Sequence, residues 1–196
     1  MRLVLASTSR YRRALLGRLG VAFESAAPDC DEEALKPGLA HLDVPTRALH
    51  LARAKAQSVA ARFPDAVILG SDQIAELDGE VLDKPGTPAR ALSQLTRLAG
   101  RTHHLHTAVT LLHAPTGRTD EHVDTTRLTL RALPPDALAR YIERDAPLDC
   151  CGSYRIESLG IALFARVEGD DPTAIEGLPL MRVAAMLARV GVDALA

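Results

Sequence analysis

Two short runs that contain only apolar residues, at positions 3–6 and 66–69, constrain the fold of this chain most strongly. Neither run alternates with polar residues, as a strand with one solvent-exposed face would. An unbroken apolar run of this length is typical of a strand that is buried on both faces. The sequence therefore predicts at least two strands in the interior of the molecule.

The rest of the chain carries helical and strand patterns separated by short turns. Helices are predicted over about residues 10–19, 45–62, 88–100, 135–144 and 180–190, and further strands over 104–112, 123–133 and 160–167. Residues 29–32 are expected in a loop. The pair Asp78-Gly79 between residues 74–77 and 80–82 predicts a hairpin. Mixed helices and strands indicate an α/β or α+β fold.

Composition limits the classes of function. With 196 residues, 47% of them apolar, the chain can bury a substantial core in one domain, or in two small lobes that share a sheet. A net charge of -2 provides no general attraction to nucleic acid or to an acidic membrane. No stretch has the roughly 18 apolar residues of a membrane span, and no signal segment is evident, so a cytoplasmic protein is expected. Any anion site must come from a local cluster.

The cysteines do not indicate a disulfide framework. There are three, Cys30, Cys150 and Cys151, and two of them are adjacent. An odd number with this spacing suits neither paired disulfides nor a zinc site. Buried, reduced thiols are therefore predicted.

The first buried strand is followed by S-T-S-R-Y-R-R, at the expected start of a helix. Free backbone N–H groups and the positive end of the helix dipole meet there. A hydroxyl residue can cap the helix, but Arg10, Arg12 and Arg13 each cost about 0.3–1 kcal/mol against the dipole. A bound anion would reverse that cost. The stretch therefore predicts a phosphate site, with a solvated basic helix face as the alternative.

The second buried strand is followed by G-S-D-Q, which places Asp72 at its carboxyl end. Open α/β sheets bind ligands at that end of their strands. A partly desolvated carboxylate there can hold a cation or activate water. The alternative is that Asp72 only caps a turn. Asp83 and Lys84 lie at the far end of the predicted hairpin, which can bring them back near Asp72.

Seven stretches together resemble one known family. They are L-A-S-T-S-R-Y-R-R at 5–13, C-D-E at 30–32, L-A-R-A-K-A at 51–56, G-S-D-Q at 70–73, L-D-K-P at 82–85, P-L-D-C-C-G-S-Y at 147–154 and D-D-P-T-A-I-E-G-L-P-L at 170–180. In order and spacing, from end to end, this set resembles the Maf family of nucleoside triphosphate pyrophosphatases. Within the family the chain is most similar to the YceF-like branch, which hydrolyses 7-methyl-GTP.

The resemblance implies an enzyme that cleaves a noncanonical nucleoside triphosphate between its α- and β-phosphates, releasing the monophosphate and pyrophosphate. It also implies a single domain over residues 1–196 with an elongated mixed α/β fold, like that of inosine triphosphate pyrophosphatases. Two lobes would surround a nucleotide cleft. The implied cofactor is a divalent cation, Mg²⁺ or Mn²⁺, and the implied assembly is a homodimer.

The catalytic residues of the family can be placed by motif. Asp72 matches the proton acceptor, and Lys55 and Lys84 match basic residues that line the cleft. Glu32 matches an acidic residue of the cleft and would hold the metal together with Asp72. Both carboxylates offer the hard oxygen ligands that Mg²⁺ prefers.

The substrate-binding start of the family matches Ser7, Arg12 and Arg13. A triphosphate carries about four negative charges near neutral pH, so fixed cations at these positions suit it. The match and the helix-start argument thus agree on a phosphate site.

Three positions that track base specificity in the family fall on Tyr11, Gln73 and Glu157. The 7-methylguanine ring is cationic, so the face of Tyr11 would attract it by about 0.5–2 kcal/mol. The carboxylate of Glu157 would accept two adjacent N–H groups of guanine and repel the carbonyl of a pyrimidine.

Two departures from the family concern the base, and two other functions stay open. Arg10 stands where the family usually has Pro, and Tyr11 where this branch usually has Trp. One alternative is a pyrimidine pyrophosphatase acting on dTTP or UTP, although that branch would have Arg, Thr and Gln at the three specificity positions. The other is a non-catalytic nucleotide-binding regulator of cell division. A nucleic-acid-binding module is disfavoured by the net charge and by only six aromatic residues.

Overall fold

The chain forms six α-helices and seven β-strands in a computed structural model that describes residues 1–196. The strands are β1 (Arg2–Ala6), β2 (Glu24–Ala26), β3 (Ala66–Leu77), β4 (Glu80–Leu82), β5 (Thr102–His113), β6 (Arg118–Leu130) and β7 (Phe164–Glu168). The helices are α1 (Arg10–Gly17), α2 (Glu32–Leu39), α3 (Val44–Ala60), α4 (Pro88–Leu98), α5 (Pro135–Asp145) and α6 (Leu180–Arg189). Short 3-10 turns occupy Cys151–Ser153, Leu159–Leu163 and Ala174–Glu176.

All seven strands belong to one mixed sheet. Its order is β2-β1-β3-β5-β6-β7, with β4 paired to β3. Strand β1 runs parallel to β2 and to β3, whereas β4 and β7 run antiparallel to β3 and β6. The predicted mixed α/β fold is confirmed, and so is the hairpin around Asp78-Gly79.

Burial on both faces explains the two unbroken apolar runs. One face of β1 and β3 packs against residues of α1 and α6 in a cluster that includes Leu3, Leu5 and Leu69. The opposite face packs against α3 in a second cluster that includes Val4 and Ile68. Because successive side chains of a strand point to opposite faces, both odd and even positions must be apolar.

Two compact units are interleaved along the chain. The first unit consists of Met1–Asp72, Thr107–Asp124 and Asp171–Ala196, and it contains both clusters just described. The second unit consists of Gln73–His106 and Thr125–Asp170. Within the second unit, α4 and α5 lie against each other.

Strand β3 is longer than predicted. The polar residues from Gly70 to Gln73 suggested that the strand ends at Leu69, but the backbone stays extended to Leu77. The neighbouring strand is the one that stops, since Ala6 at the end of β1 pairs with Gly70. Asp72 is therefore a strand residue beyond the end of β1, so the alternative that it only caps a turn is wrong.

Two other predictions differ from the structure. The expected loop at 29–32 leads directly into α2, whose first turn is capped by Asp31 through the Ala34 N–H. This helix buries none of its residues and contains Pro37, so it lacks an apolar pattern. The strand expected from Gly160 begins only at Phe164, because the preceding residues form a 3-10 turn.

None of the six helices combines the length and the apolar character that a membrane span requires. The three cysteines are free thiols, as expected, but each is partly exposed rather than buried.

Candidate functional site

The start of α1 concentrates positive charge in the first unit. Ser9 caps the helix by accepting a hydrogen bond from the Arg12 N–H at 3.4 Å, and the Ser7 hydroxyl accepts one from the Ser9 N–H at 3.1 Å. The first turn contains no acidic residue. Its arginines therefore add to the positive end of the helix dipole instead of balancing it.

Arg12 is oriented by the loop that precedes α6. Its Nε donates to the Gly177 carbonyl at 3.1 Å, and its two terminal nitrogens make no hydrogen bond within the protein. Arg13 is exposed on the next position of the helix. The geometry leaves two guanidinium groups available for an anion, as a phosphate site requires.

A second cluster joins Lys55 to two other predicted residues, Asp72 and Glu32. The Lys55 ammonium lies 2.6 Å from Asp72 Oδ1 and 2.9 Å from Glu32 Oε2. The side chains of Lys55 and Asp72 are only 7% and 9% exposed, while that of Glu32 is 42% exposed. One ammonium thus balances a buried carboxylate and a more accessible one.

Strand periodicity and one glycine bring Lys55 to Asp72. Even-numbered residues of β3 face α3, so Asp72 points toward the helix that carries Lys55. Gly70, on the same face, lets strand and helix approach closely. A Cβ at Gly70 would lie 2.2 Å from the carbonyl oxygen of Ala52 and 2.9 Å from the backbone nitrogen of Ala56.

Sequence reasoning missed the role of Ser71 and of the loop before α6. Ser71 points to the opposite face from Asp72, is fully buried, and donates to the Gly177 carbonyl at 3.2 Å. The same carbonyl accepts from Arg12, so one oxygen connects the basic helix start to β3. The only sequence signal was the motif D-D-P-T-A-I-E-G-L-P-L, which had no assigned role.

Asp171 and Thr173 fix that loop. One oxygen of Asp171 accepts from the backbone and the hydroxyl of Thr173, at 2.9 and 2.6 Å, and the other accepts from the Met181 N–H at 2.7 Å. Thr173 also accepts from the Leu180 N–H at 2.8 Å. These bonds, most of them buried, hold the turn that presents the Gly177 carbonyl.

Tyr11 is engaged by its neighbour. The Arg10 guanidinium lies 4.8 Å from the centre of the Tyr11 ring and donates to its hydroxyl at 2.7 Å. One face of the ring that is predicted to receive a cationic base therefore already carries a cation. This contact could not be read from the sequence, because it depends on the side-chain rotamer of Arg10.

The remaining predicted residues belong to the second unit. Gln73 follows Asp72 in β3, and its carbonyl accepts from the Cys151 thiol at 3.5 Å. Lys84 is exposed just after β4, and Glu157 is exposed in the segment before the second 3-10 turn. Their assignment to a site depends on the family motif.

Cys30 borders the cluster around Lys55. Burial and the nearby carboxylate of Glu32 raise the pKa of its thiol. A raised pKa keeps the thiol protonated near neutral pH, so it is a poor nucleophile. Cys30 is thus suited to lining this cluster and not to reacting there.

The carboxylates of this cluster suit a metal that is shared with substrate. No group of three or more His, Cys, Asp or Glu side chains is arranged to hold a metal ion. Glu32 and Asp72 nevertheless lie on the same side chain, since both contact the Lys55 ammonium. Mg²⁺ typically binds one or two carboxylates together with substrate phosphates and waters, and this pair fits that pattern.

Comparisons with known proteins agree with this architecture. The family model described as "Maf-like protein" matches residues 2–190. Proteins named 7-methyl-GTP pyrophosphatase from Xanthomonas campestris pv. campestris (strain 8004) and Aromatoleum aromaticum are 48% and 47% identical over 190 residues, 97% of this chain and 96% of each protein. One from Albidiferax ferrireducens, with the same name, is 44% identical over 195 residues, 99% of this chain and 96% of that protein. The chain belongs to the Maf family.

Proposed function

We propose that this protein is a nucleoside triphosphate pyrophosphatase that hydrolyses 7-methyl-GTP to 7-methyl-GMP and pyrophosphate. The observation that carries the proposal is the buried Lys55 between Asp72 and Glu32. It occurs in a chain whose relatives, at 44–48% identity over nearly the whole length, bear the name of that enzyme. The removal of noncanonical nucleotides is the corresponding role in the cell.

The chemistry requires a base, fixed cations and an attacking water. Asp72 accepts the proton that the water loses as its oxygen bonds to the α-phosphorus. The bond between the α-phosphorus and the bridging oxygen breaks, and the pyrophosphate leaves with the electron pair. Lys55 and Lys84 balance negative charge during this step.

Arg12, Arg13 and the start of α1 bind the phosphates. Their charges offset the roughly four negative charges of the triphosphate, and the Ser7 hydroxyl adds a hydrogen-bonding group. Interactions with the oxygens that gain charge in the transition state contribute most to the rate. This role explains why the first turn of α1 has arginines and no acids.

A divalent cation, Mg²⁺ or Mn²⁺, is the proposed cofactor. Glu32 and Asp72 would hold it, and it would supply charge neutralisation on the triphosphate. The two carboxylates and their position beside Lys55 support this assignment.

Base selection is assigned to Tyr11, Gln73 and Glu157. Glu157 accepts the adjacent N–H groups of the guanine edge, and Tyr11 offers an aromatic face to the methylated ring. A pyrimidine presents a carbonyl where guanine presents donors, so the carboxylate of Glu157 disfavours it.

The proposal also includes a homodimer and a cytoplasmic location. Light scattering after gel filtration would test the oligomeric state.

The direct test measures pyrophosphate release. The purified protein and Mg²⁺ are incubated separately with 7-methyl-GTP, GTP, UTP and dTTP, each beside an Asp72→Asn control. The proposal expects 7-methyl-GTP to be hydrolysed fastest. Faster release from UTP or dTTP would favour the pyrimidine branch, and binding with no release from any nucleotide would favour a non-catalytic regulator.

A further inference from the structure

A buried carboxylate of the second unit holds both sides of the segment that carries Glu157. Asp145 is the last residue of α5 and is 7% exposed. Its carboxylate accepts from Arg155 Nη2 at 2.9 Å and from the Ser158 hydroxyl at 2.8 Å. Arg155 also donates to the main-chain carbonyl of Asp145. These partners lie two residues before and one residue after Glu157.

Tyr141, one turn earlier on α5, strengthens the same contact. It is 4% exposed, and its hydroxyl accepts from the Arg155 N–H at 3.0 Å. Burial raises the pKa of this hydroxyl, which therefore stays protonated. Burial would also raise the pKa of Asp145, but hydrogen bonds from Ser158, Arg155 and Tyr141 hold it below its ordinary value. Asp145 is thus ionised and satisfied at neutral pH.

The segment between these contacts has little freedom to move. The Ser158 hydroxyl lies 3.3 Å from the Arg155 carbonyl, which closes the turn around Glu157. Gly160 packs against the same residue, since a Cβ there would lie 2.1 Å from the Arg155 carbonyl oxygen. Glu157 is exposed, whereas the residues on either side of it are half-buried.

We propose that Asp145 is a positioning residue for base selection, acting through Arg155 and Ser158 on the backbone of Glu157. The inference rests on the proposed function, in which Glu157 recognises the guanine edge. Paired acceptance of two N–H groups requires a carboxylate fixed in position and orientation. A loosened segment would let Glu157 turn away from a pyrimidine carbonyl, so discrimination would fall.

The test measures a ratio of kcat/KM values, 7-methyl-GTP over UTP, for each variant. An incompletely folded preparation lowers both values equally, so the ratio reports only on active molecules. The variants are Asp145→Asn and Ser158→Ala, each made alone and together with Glu157→Gln. Asp136→Asn is the matched control, because Asp136 is an exposed carboxylate on the same helix, paired with Arg140 at 2.8 Å.

We expect Asp145→Asn to lower the ratio about tenfold or more and Ser158→Ala about threefold, with Asp136→Asn unchanged. In the Glu157→Gln background both changes should leave the ratio within about twofold, because the group they position is already absent. If Asp145→Asn fails to fold, Ser158→Ala carries the test, since it keeps the pair between Asp145 and Arg155.

Three results would overturn the inference. An unchanged ratio for both variants would show that the contacts do not matter to selection. An equal loss with and without Glu157→Gln would show that Asp145 acts independently of Glu157. An unchanged ratio for Glu157→Gln alone would show that Glu157 does not select the nucleobase. Only this last result would also contradict the assignment of guanine recognition to Glu157 in the proposed function.

Discussion

Lys55 Nζ and Asp72 Oδ1 lie 2.6 Å apart, and both side chains are more than nine-tenths buried. The pair joins α3 to a strand position beyond the end of β1, on the face that Gly70 keeps open for the helix. Glu32 contacts the same ammonium from the start of α2. Three consecutive elements, α2, α3 and β3, thus converge on one cation. The effects of this cluster on reactivity and on stability can be tested separately.

Loss of the proposed base should lower the rate more than the affinity. We expect Asp72→Asn to reduce kcat for 7-methyl-GTP by about 10²-fold or more, with KM changed little, because the amide cannot accept the proton of the attacking water. Asp65→Asn is the control, since Asp65 is an exposed carboxylate of the same unit. A variant that keeps most of its kcat would show that Asp72 is only a structural partner of Lys55.

Loss of the central cation should affect stability more than loss of one carboxylate. Lys55→Met leaves Asp72 buried without its partner, so we expect about 3 kcal/mol of destabilisation in urea unfolding. Asp72→Asn leaves Lys55 paired with Glu32 at 2.9 Å and should cost clearly less. Equal losses of stability in the two variants would contradict the view that Glu32 still balances the charge of Lys55 when Asp72 is replaced by asparagine.

Arg10 should reduce the preference for a cationic base. Its guanidinium lies over one face of the Tyr11 ring, so it competes with a cationic 7-methylguanine for the negative potential of that ring. We expect Arg10→Ala to raise the kcat/KM ratio of 7-methyl-GTP over GTP about two- to fivefold, because the competing cation is removed. Both substrates carry the same triphosphate, so the ratio isolates the effect on the base.

The matched variant for this comparison is Arg13→Ala. Arg13 lies in the same part of α1. Removing its guanidinium should weaken the binding of both triphosphates without changing the kcat/KM ratio of 7-methyl-GTP over GTP. A ratio that falls in Arg10→Ala would mean that Arg10 supports the stacking surface of Tyr11 and does not compete for it.

The features of the fold that depend on local sequence pattern were predicted from the sequence. The buried strands, the hairpin and the basic helix start follow from periodicity and turn chemistry, and the family follows from ordered motifs. The end of β3 was missed because Ser71 and Asp72 are polar, although Ser71 is satisfied by the Gly177 carbonyl and Asp72 by Lys55 of the preceding helix. Helix α2 was missed because it buries nothing.

Contacts between distant parts of the chain could not be predicted in this way. The Gly177 carbonyl that joins Arg12 to Ser71, and the carboxylate of Asp145 beside Glu157, depend on the three-dimensional path of two loops. A single sequence contains no period or spacing that reports such contacts.

His103 should make the fold sensitive to acid. It is 1% exposed, its Nε2 lies 2.9 Å from the Tyr154 hydroxyl, and burial lowers its pKa from 6.5 to about 4. Between these values the unfolded chain binds a proton that the folded chain does not. The free energy of unfolding should therefore fall as the pH falls from 6.5 to 4, by roughly 3 kcal/mol from this residue.

Urea unfolding at pH 7, 5.5 and 4 measures this loss in the wild type, in His103→Gln and in His41→Gln. Glutamine can keep a hydrogen bond to Tyr154 but does not titrate, so His103→Gln should lose about 3 kcal/mol less than the wild type over this range. Carboxylates such as Glu76 and Asp145, whose pKa values are lowered in the folded state, also lose stabilisation in acid, but they do so equally in all three proteins. The control substitution His41→Gln, at an exposed position, should leave the dependence of unfolding free energy on pH as it is in the wild type. Parallel profiles for the wild type and His103→Gln would show that His103 can be protonated in the folded protein without cost, and would contradict the assignment of acid sensitivity to its burial.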